Sequence, residues 1–118
     1  MSGAALLGGF DDPPLQAART FRAALDALAR PGTLREVPGV FAPSPLSEGA
    51  AALVLTLVDA ETPLHLAGAA DRDAVRDWIA FHIGAPLVAA EDCRFALGTW
   101  PALCPIARFH AGTPERPD

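Results

Sequence analysis

The arginine and histidine side chains are the groups with which this chain could bind a charged ligand. It contains nine arginines and three histidines but no lysine. A Schiff base to a carbonyl compound or to pyridoxal phosphate requires a lysine amine, as does a phosphate-binding loop of the Walker type, so both are excluded. The planar guanidinium can instead hold a phosphate or phosphonate through two parallel hydrogen bonds. Arg19, Arg22 and Arg35 are therefore candidate anion ligands, although solvated or salt-bridged arginines would give the same pattern.

The histidines and cysteines match no known metal-binding pattern. Cys93, Cys104 and His110 fit no zinc-ligand spacing, and the chain has no Cys-x-x-Cys pair. His82 shares a predicted helix face with Trp78, which favours a packed histidine and leaves it a weak candidate for ligand binding. We therefore predict no metal site and two free thiols.

No group of side chains has the spacing of a catalytic centre. None of the three serines lies in a nucleophile-elbow sequence, and Ser47 is better explained as a helix cap. Asp59 and Glu61 could exchange protons, but they fit solvated turn residues equally well. The segment LLGGF follows no predicted strand and lacks the third glycine of a dinucleotide-binding fingerprint. We predict no catalytic residue and no cofactor.

The composition is that of one folded, acidic domain. The chain has 118 residues, of which 51% are hydrophobic and 19% are charged, a balance typical of globular proteins. Its formal net charge of −5 argues against nucleic acid and anionic membrane surfaces, because both attract basic faces. The longest apolar run, 50–58, is about half the length that spans a bilayer. With no secretion signal and only two cysteines, the sequence predicts a cytoplasmic protein.

The first helix is predicted to follow a loose arm formed by residues 1–10 and to end at the Pro31–Gly32 turn. Asp12 is the expected cap, and the two prolines after it fit the first helical turn. Apolar side chains recur at near-helical spacing along this segment and predict a buried stripe. The members of the stripe are Leu15, Ala18, Phe21, Leu25 and Leu28.

The rest of the chain alternates helices with short strands, which predicts an α/β fold. The run 48–59 could form a buried strand, but its length favours a helix that begins after Ser47. Strands are predicted at 33–37, 64–68, 86–88 and 93–97, and at most a short helix within 100–110. A clear helix is predicted over 71–84, capped by Asp71, with Val75, Trp78, Ile79 and His82 on one face.

Three sequence blocks resemble the H subunit of the bacterial carbon–phosphorus lyase system, the PhnH family. FRAALDALARPGT (21–33) resembles the family's helix and Pro-Gly turn. AALVLTLVDAETPLHL (51–66) resembles its next helix, turn and strand, and IAFHIGAPLV (79–88) resembles a later block. The blocks occur in the same order and at compatible spacing, so the resemblance covers nearly the whole chain from Asp11 onward. Because family members are longer, residues 1–118 are expected to form a single domain equivalent to their N-terminal portion.

The resemblance implies a three-layer α/β/α fold with a small mixed sheet, similar to pyridoxal-phosphate transferases but without that cofactor, and here incomplete. It also implies a cytoplasmic homodimer that binds subunits of the G, I, J and L type. Together they form a ribose 1-phosphonate 5-triphosphate from ATP and an alkylphosphonate, with this chain as a non-catalytic subunit. The alternative is a stand-alone α/β module that binds a small anion through Arg22 or Arg35. In either case a shortened domain is expected to expose apolar surface and to self-associate.

Overall fold

The computed structural model describes residues 9–10, 12–37 and 40–109. These residues form four α-helices, two β-strands and three short 3-10 turns. In chain order the helices and strands are α1 (Pro13–Ala29), α2 (Glu48–Leu57), β1 (Leu64–Leu66), α3 (Asp73–His82), β2 (Phe95–Leu97) and α4 (Trp100–Leu103). Most of the arm predicted over 1–10 and the tail beyond residue 109 lie outside the described residues, but Phe10 packs half-buried against the core.

The sheet is small and parallel. Leu64 of β1 pairs with Phe95 of β2, and Leu66 pairs with Leu97. Leu64 also forms an isolated parallel bridge with Leu87, through hydrogen bonds that involve the backbone of residues 86 and 88. Because alternate residues of a strand bond to opposite sides, β1 lies between β2 and the segment 86–88. The predicted α/β class is confirmed, while the sheet is parallel rather than mixed in the part of the chain that the structure describes.

Helix α3 supplies the centre of the core. Val75, Trp78 and Ile79 are each fully buried, as their spacing predicts, and His82 on the same side is half-buried. Gly84 follows with a φ of +75°, a conformation that favours glycine and ends the helix as predicted. The remaining buried members of this cluster are Val40, Ala51, Ala52, Val54, Val58, Leu64, Leu66 and Ala85.

Helix α1 packs with the side opposite to the predicted one. Thr20 is fully buried, and the neighbouring alanines 23, 24 and 27 are half-buried where α1 contacts α2. The predicted stripe instead faces outward, with 46% of Leu15, 48% of Phe21 and 51% of Leu25 exposed. The prediction of a buried stripe was therefore wrong. Helical periodicity identifies an apolar face, but it does not show that another element covers that face.

The two aspartates that were predicted to cap helices make other contacts. The Asp12 side chain makes no capping bond, and the backbone N–H of Asp12 donates to Oε1 of Gln16 at 2.7 Å. The N-cap position of α3 is Arg72, while Asp71 accepts a hydrogen bond from the guanidinium of Arg76. Asp12 therefore occupies the predicted N-cap position but makes no side-chain bond, and neither Pro13 nor Pro14 has an N–H to donate to it. The prediction for Asp71 was wrong, because its carboxylate binds Arg76 instead.

Residues 33–37 form no strand, in contrast to the prediction. The segment leaves the Pro31–Gly32 turn, where the Thr33 hydroxyl donates to the carbonyl of Arg30 at 2.7 Å. Leu34 is 96% exposed. An alternating pattern can form a strand only where a neighbouring strand accepts its backbone hydrogen bonds, and no such neighbour lies beside this segment within the described residues.

None of the described helices is both long enough and apolar enough to cross a bilayer. Helix α2 illustrates why: its sequence EGAAALVLTL is apolar, but it has only ten residues. A membrane-spanning helix requires about 20 apolar residues. The ambiguous run at 48–59 is thus a short packed helix, which confirms the helical interpretation of its length.

Ser47 caps α2 as predicted. Its Oγ accepts a hydrogen bond from the backbone N–H of Ala50 at 3.1 Å. We expect Ser47→Ala to lower the free energy of unfolding by about 1 kcal/mol, because one N–H at the helix start loses its partner. Ser47→Asp is the control and should retain the stability, since a carboxylate both accepts the bond and suits the positive helix start. Urea unfolding followed by circular dichroism measures both; equal losses in the two variants would contradict the capping role.

Neither Cys93 nor Cys104 forms a disulfide, and the two thiols differ in accessibility. Cys104 is exposed, whereas Cys93 is buried and its Sγ–H donates to the carbonyl of Ala90 at 3.2 Å. Burial raises the pKa of the Cys93 thiol. We expect a thiol reagent to modify Cys104 first and Cys93 about 100-fold more slowly, because the reagent needs both access and a thiolate. Mass spectrometry of partially labelled protein tests this; equal labelling of the two residues would show that the Cys93 site opens readily.

Candidate functional site

A polar pocket of about 280 Å³ lies beside β1. It is lined by His65, Leu66, Asp71, Arg76, Leu87, Val88 and Ala89. The polar side chains come from β1 and from α3 with its preceding turn, while most of the apolar wall comes from the segment 87–89. The pocket therefore combines one imidazole, one carboxylate and one guanidinium with a short hydrophobic surface.

The strand alternation places His65 in this pocket. Leu64 and Leu66 are buried in the core, so the side chain between them points to the other face of the sheet. His65 Nδ1 lies 2.9 Å from the carbonyl oxygen of Val88. Because a carbonyl only accepts hydrogen bonds, Nδ1 carries the hydrogen, and the neutral ring has its lone pair on Nε2. The ring is further held by an edge contact with Phe109, at a centroid distance of 6.1 Å.

Asp71 and Arg76 form an ion pair at the mouth of the pocket. Asp71 Oδ1 accepts a hydrogen bond from Nε of Arg76 at 2.5 Å. This bond is the main reason that the pKa of Asp71 lies below its ordinary value, and it raises the pKa of Arg76. Both side chains are about half exposed, so the pair orients Arg76 more than it stabilises the fold. Since Nε makes the bond, the outer nitrogens of the guanidinium remain to meet another group.

The pocket is suited to binding a small polar group. Asp71 offsets the charge of Arg76. A small anion would meet the outer N–H groups of the Arg76 guanidinium, beside the His65 ring. None of the residues that line the pocket is a serine, cysteine or lysine, so it provides none of those side-chain nucleophiles.

A second cavity, of about 220 Å³, lies at the carboxyl ends of the two strands. Its walls include Gly98 and Thr99 after β2, Ala69 and Ala70 after β1, and the start of α2 at Ser47. Ligands of open α/β sheets commonly bind at this edge. The lining here is mostly small and apolar. The Ser47 hydroxyl already accepts the capping hydrogen bond from the backbone N–H of Ala50. The cavity thus offers shape but few directed polar groups.

Comparison with known families identifies the chain. The profile of the bacterial phosphonate metabolism protein PhnH matches residues 8–118. The chain belongs to the PhnH family. The match covers all three sequence blocks on which the resemblance was based, so that prediction is confirmed.

A curated PhnH protein shows the same relationship. The chain is 40% identical over 114 residues to the α-D-ribose 1-methylphosphonate 5-triphosphate synthase subunit PhnH of Rhizobium meliloti (strain 1021). The aligned region covers 94% of this chain and 57% of that relative. The chain thus spans little more than half the length of the PhnH protein that it matches.

The anion-binding candidates predicted from the sequence lie on three separate elements of this PhnH chain. Arg22 lies on the exposed face of α1 and lines a shallow cavity with Leu15, Ala18 and Arg19. Arg35 lies in the exposed segment after the Pro31–Gly32 turn. His82 ends α3, with its ring 5.2 Å from that of Trp78 and 4.9 Å from that of Phe81. Ligand binding by these residues stays a prediction.

Sequence reasoning missed the His65 pocket. A usable signal was present in the LHL strand, where a histidine alternates with two leucines and must face away from the core that they enter. The sequence does not show that Asp71 and Arg76 line the same pocket as His65, because the path of the turn between β1 and α3 determines where they lie. No group of three potential metal-binding side chains is found among the described residues of this PhnH chain.

Proposed function

We propose that this chain acts in organic phosphonate catabolism as a non-catalytic subunit of α-D-ribose 1-methylphosphonate 5-triphosphate synthase. In this role it assists the other subunits of the carbon–phosphorus lyase complex, of the G, I, J and L type, in forming the product from ATP and an alkylphosphonate. The 40% identity to a synthase subunit over 94% of the chain carries the proposal.

The finer features of the proposal are architectural. We place the parallel pair β1–β2 within a three-layer α/β/α fold, in a cytoplasmic protein that forms homodimers. The pairing of parallel strands through a helical crossover supports the layered arrangement, because such crossovers place helices against the faces of a sheet. The two cysteines form no disulfide, which supports a reducing compartment.

Co-purification with the other synthase subunits tests the proposal. The chain is expressed with them, one subunit carries an affinity tag, and the composition of the eluted complex is measured. We expect this chain to elute with the complex in a fixed ratio. Its absence from the complex, both at this length and when extended to the length of the R. meliloti relative, would contradict the proposal. So would turnover of a phosphonate or nucleotide by the purified chain alone.

The second candidate function is that of a small anion-binding module, and the His65 pocket is the observation that favours it. Calorimetric titration with methylphosphonate and with inorganic phosphate tests this function. Binding through the pocket predicts that Arg76→Gln abolishes the heat while Arg22→Gln and Arg35→Gln retain it. The opposite pattern would instead support the two arginines predicted from the sequence. No heat with the wild-type chain would count against the module.

A further inference from the structure

Helix α1 presents an unusually apolar outer face. Large side chains are exposed along its whole length, from Leu15 at 46% through Phe21 and Leu25 to Leu28 at 78%. A helix of 17 residues extends for about 25 Å. We call this surface, formed by Leu15, Ala18, Phe21, Leu25 and Leu28, the α1 stripe. A continuous apolar surface of this kind on a folded domain marks a site of interaction with another molecule.

The α1 stripe lies away from the side on which α1 packs against α2. Helix α1 is attached to α2 through Thr20 and the alanines on its inner side. The large side chains that normally secure a helix to a core are on the other side. Their exposure is therefore not a by-product of packing against α2, and removing them should leave that packing intact.

The charges beside the stripe indicate what kind of surface it fits. Arg19 and Arg22 lie next to Leu15 and Ala18 in the shallow cavity on α1. No ion pair within the part of the chain that the structure describes neutralises either arginine. Helix α1 with its two cap residues, 12–30, contains three arginines against Asp12 and Asp26, which gives a net charge of +1 in a chain whose total is −5.

This local charge disfavours a second copy as the occupant. Two α1 stripes facing each other would bring two basic segments together, and like charges across an interface are unfavourable. A surface of opposite charge would be attracted instead. Building on the proposed function, we infer that the α1 stripe binds another subunit of the synthase, through an apolar surface on that subunit rimmed by Asp and Glu side chains.

Two double variants of the full chain test this inference against the wild type. Phe21→Ser/Leu25→Ser removes the centre of the stripe, and binding to the co-expressed synthase subunits should weaken about 100-fold, because buried apolar anchors carry most of an interface's affinity. Arg19→Gln/Arg22→Gln should slow association and reduce its dependence on salt. Ile106→Ser is the matched control, since this side chain is 60% exposed and lies outside the stripe; it should bind as the wild type does.

The outcomes separate this inference from the proposed function. If the wild-type chain joins the complex and Phe21→Ser/Leu25→Ser joins it equally well, the inference fails and the proposed function stands. If the wild-type chain joins neither at this length nor when extended to the length of the R. meliloti relative, the proposed function fails with it. If association of the Arg19→Gln/Arg22→Gln variant depends on salt as strongly as that of the wild type, the inference that Asp and Glu side chains surround the partner's apolar surface is overturned. If the chain alone is a homodimer that Phe21→Ser/Leu25→Ser dissociates, a second copy occupies the stripe and the inference is overturned. Circular dichroism should show the same helix content in all variants.

Discussion

Trp78→Ala is expected to lower the free energy of unfolding by about 3–5 kcal/mol, the range for truncating a buried aromatic side chain. Trp78 has no exposed surface and lies in α3 between Val75 and Ile79, at the centre of the core. The alanine would leave a cavity that the surrounding side chains can fill only in part. Because small domains are stable by about 5–15 kcal/mol, this one change could remove most of the stability.

Trp100→Ala is the matched control, because this second tryptophan is 67% exposed at the start of α4. We expect it to change the stability by less than about 0.5 kcal/mol. If the alanine variant does not fold, Trp78→Phe provides a folded protein whose free energy of unfolding can still be measured. It retains most of the packing and removes Nε1–H, which has no acceptor among the described residues. Urea midpoints rank the three variants; similar losses for Trp78→Ala and Trp100→Ala would contradict the burial of Trp78.

Gly98→Ala is expected to destabilise the fold by about 1–3 kcal/mol through overpacking. Gly98 follows β2 directly, where Ala67 N donates to the carbonyl of Leu97 at 2.9 Å. A Cβ at position 98 would lie 2.9 Å from Cβ of Ala67 and 3.1 Å from its carbonyl oxygen. Because one of these atoms belongs to the backbone at the end of β1, the strands would have to separate to admit the methyl group.

Replacing Gly49 by alanine should instead raise the free energy of unfolding. Gly49 lies in the first turn of α2, and a Cβ built there meets nothing within 4 Å. Gly49→Ala is expected to stabilise the protein by about 0.5 kcal/mol, because alanine favours the helix and restricts the unfolded chain. Denaturant unfolding of both variants tests the contrast. A stable Gly98→Ala protein would show that the ends of β1 and β2 are less tightly packed than their distances indicate.

The sequence alone predicts a structural feature correctly when the residues that determine the feature lie close together in the chain. The buried face of α3 follows from the spacing of Val75, Trp78 and Ile79, and the cap at Ser47 follows from a hydroxyl placed just before an apolar run. Both depend on residues within one or two helical turns of each other. The α/β class follows in the same way from the alternation of local patterns.

Three of the failures have a common physical cause, since each depended on a neighbour that is distant in the sequence. Helix α1 is amphipathic as predicted. The side that packs against α2, however, carries Thr20 and small alanines, and the larger apolar side chains lie on the other side. The segment around Leu34 alternates like a strand yet has no partner to pair with. The His65 pocket was missed because Asp71 and Arg76 reach it through a turn whose path no local pattern specifies.

The parallel pairing of β1 with β2 has a consequence for the order of events during synthesis. Leu64 cannot meet Phe95 until the whole crossover, including α3, has left the ribosome, and closing so long a loop carries an entropic cost. Helices α1 and α2 need only local hydrogen bonds and can form earlier. For that interval β1 is a nascent leucine-rich strand without its neighbour, and chaperones that recognise unpaired apolar segments would encounter the chain at this stage.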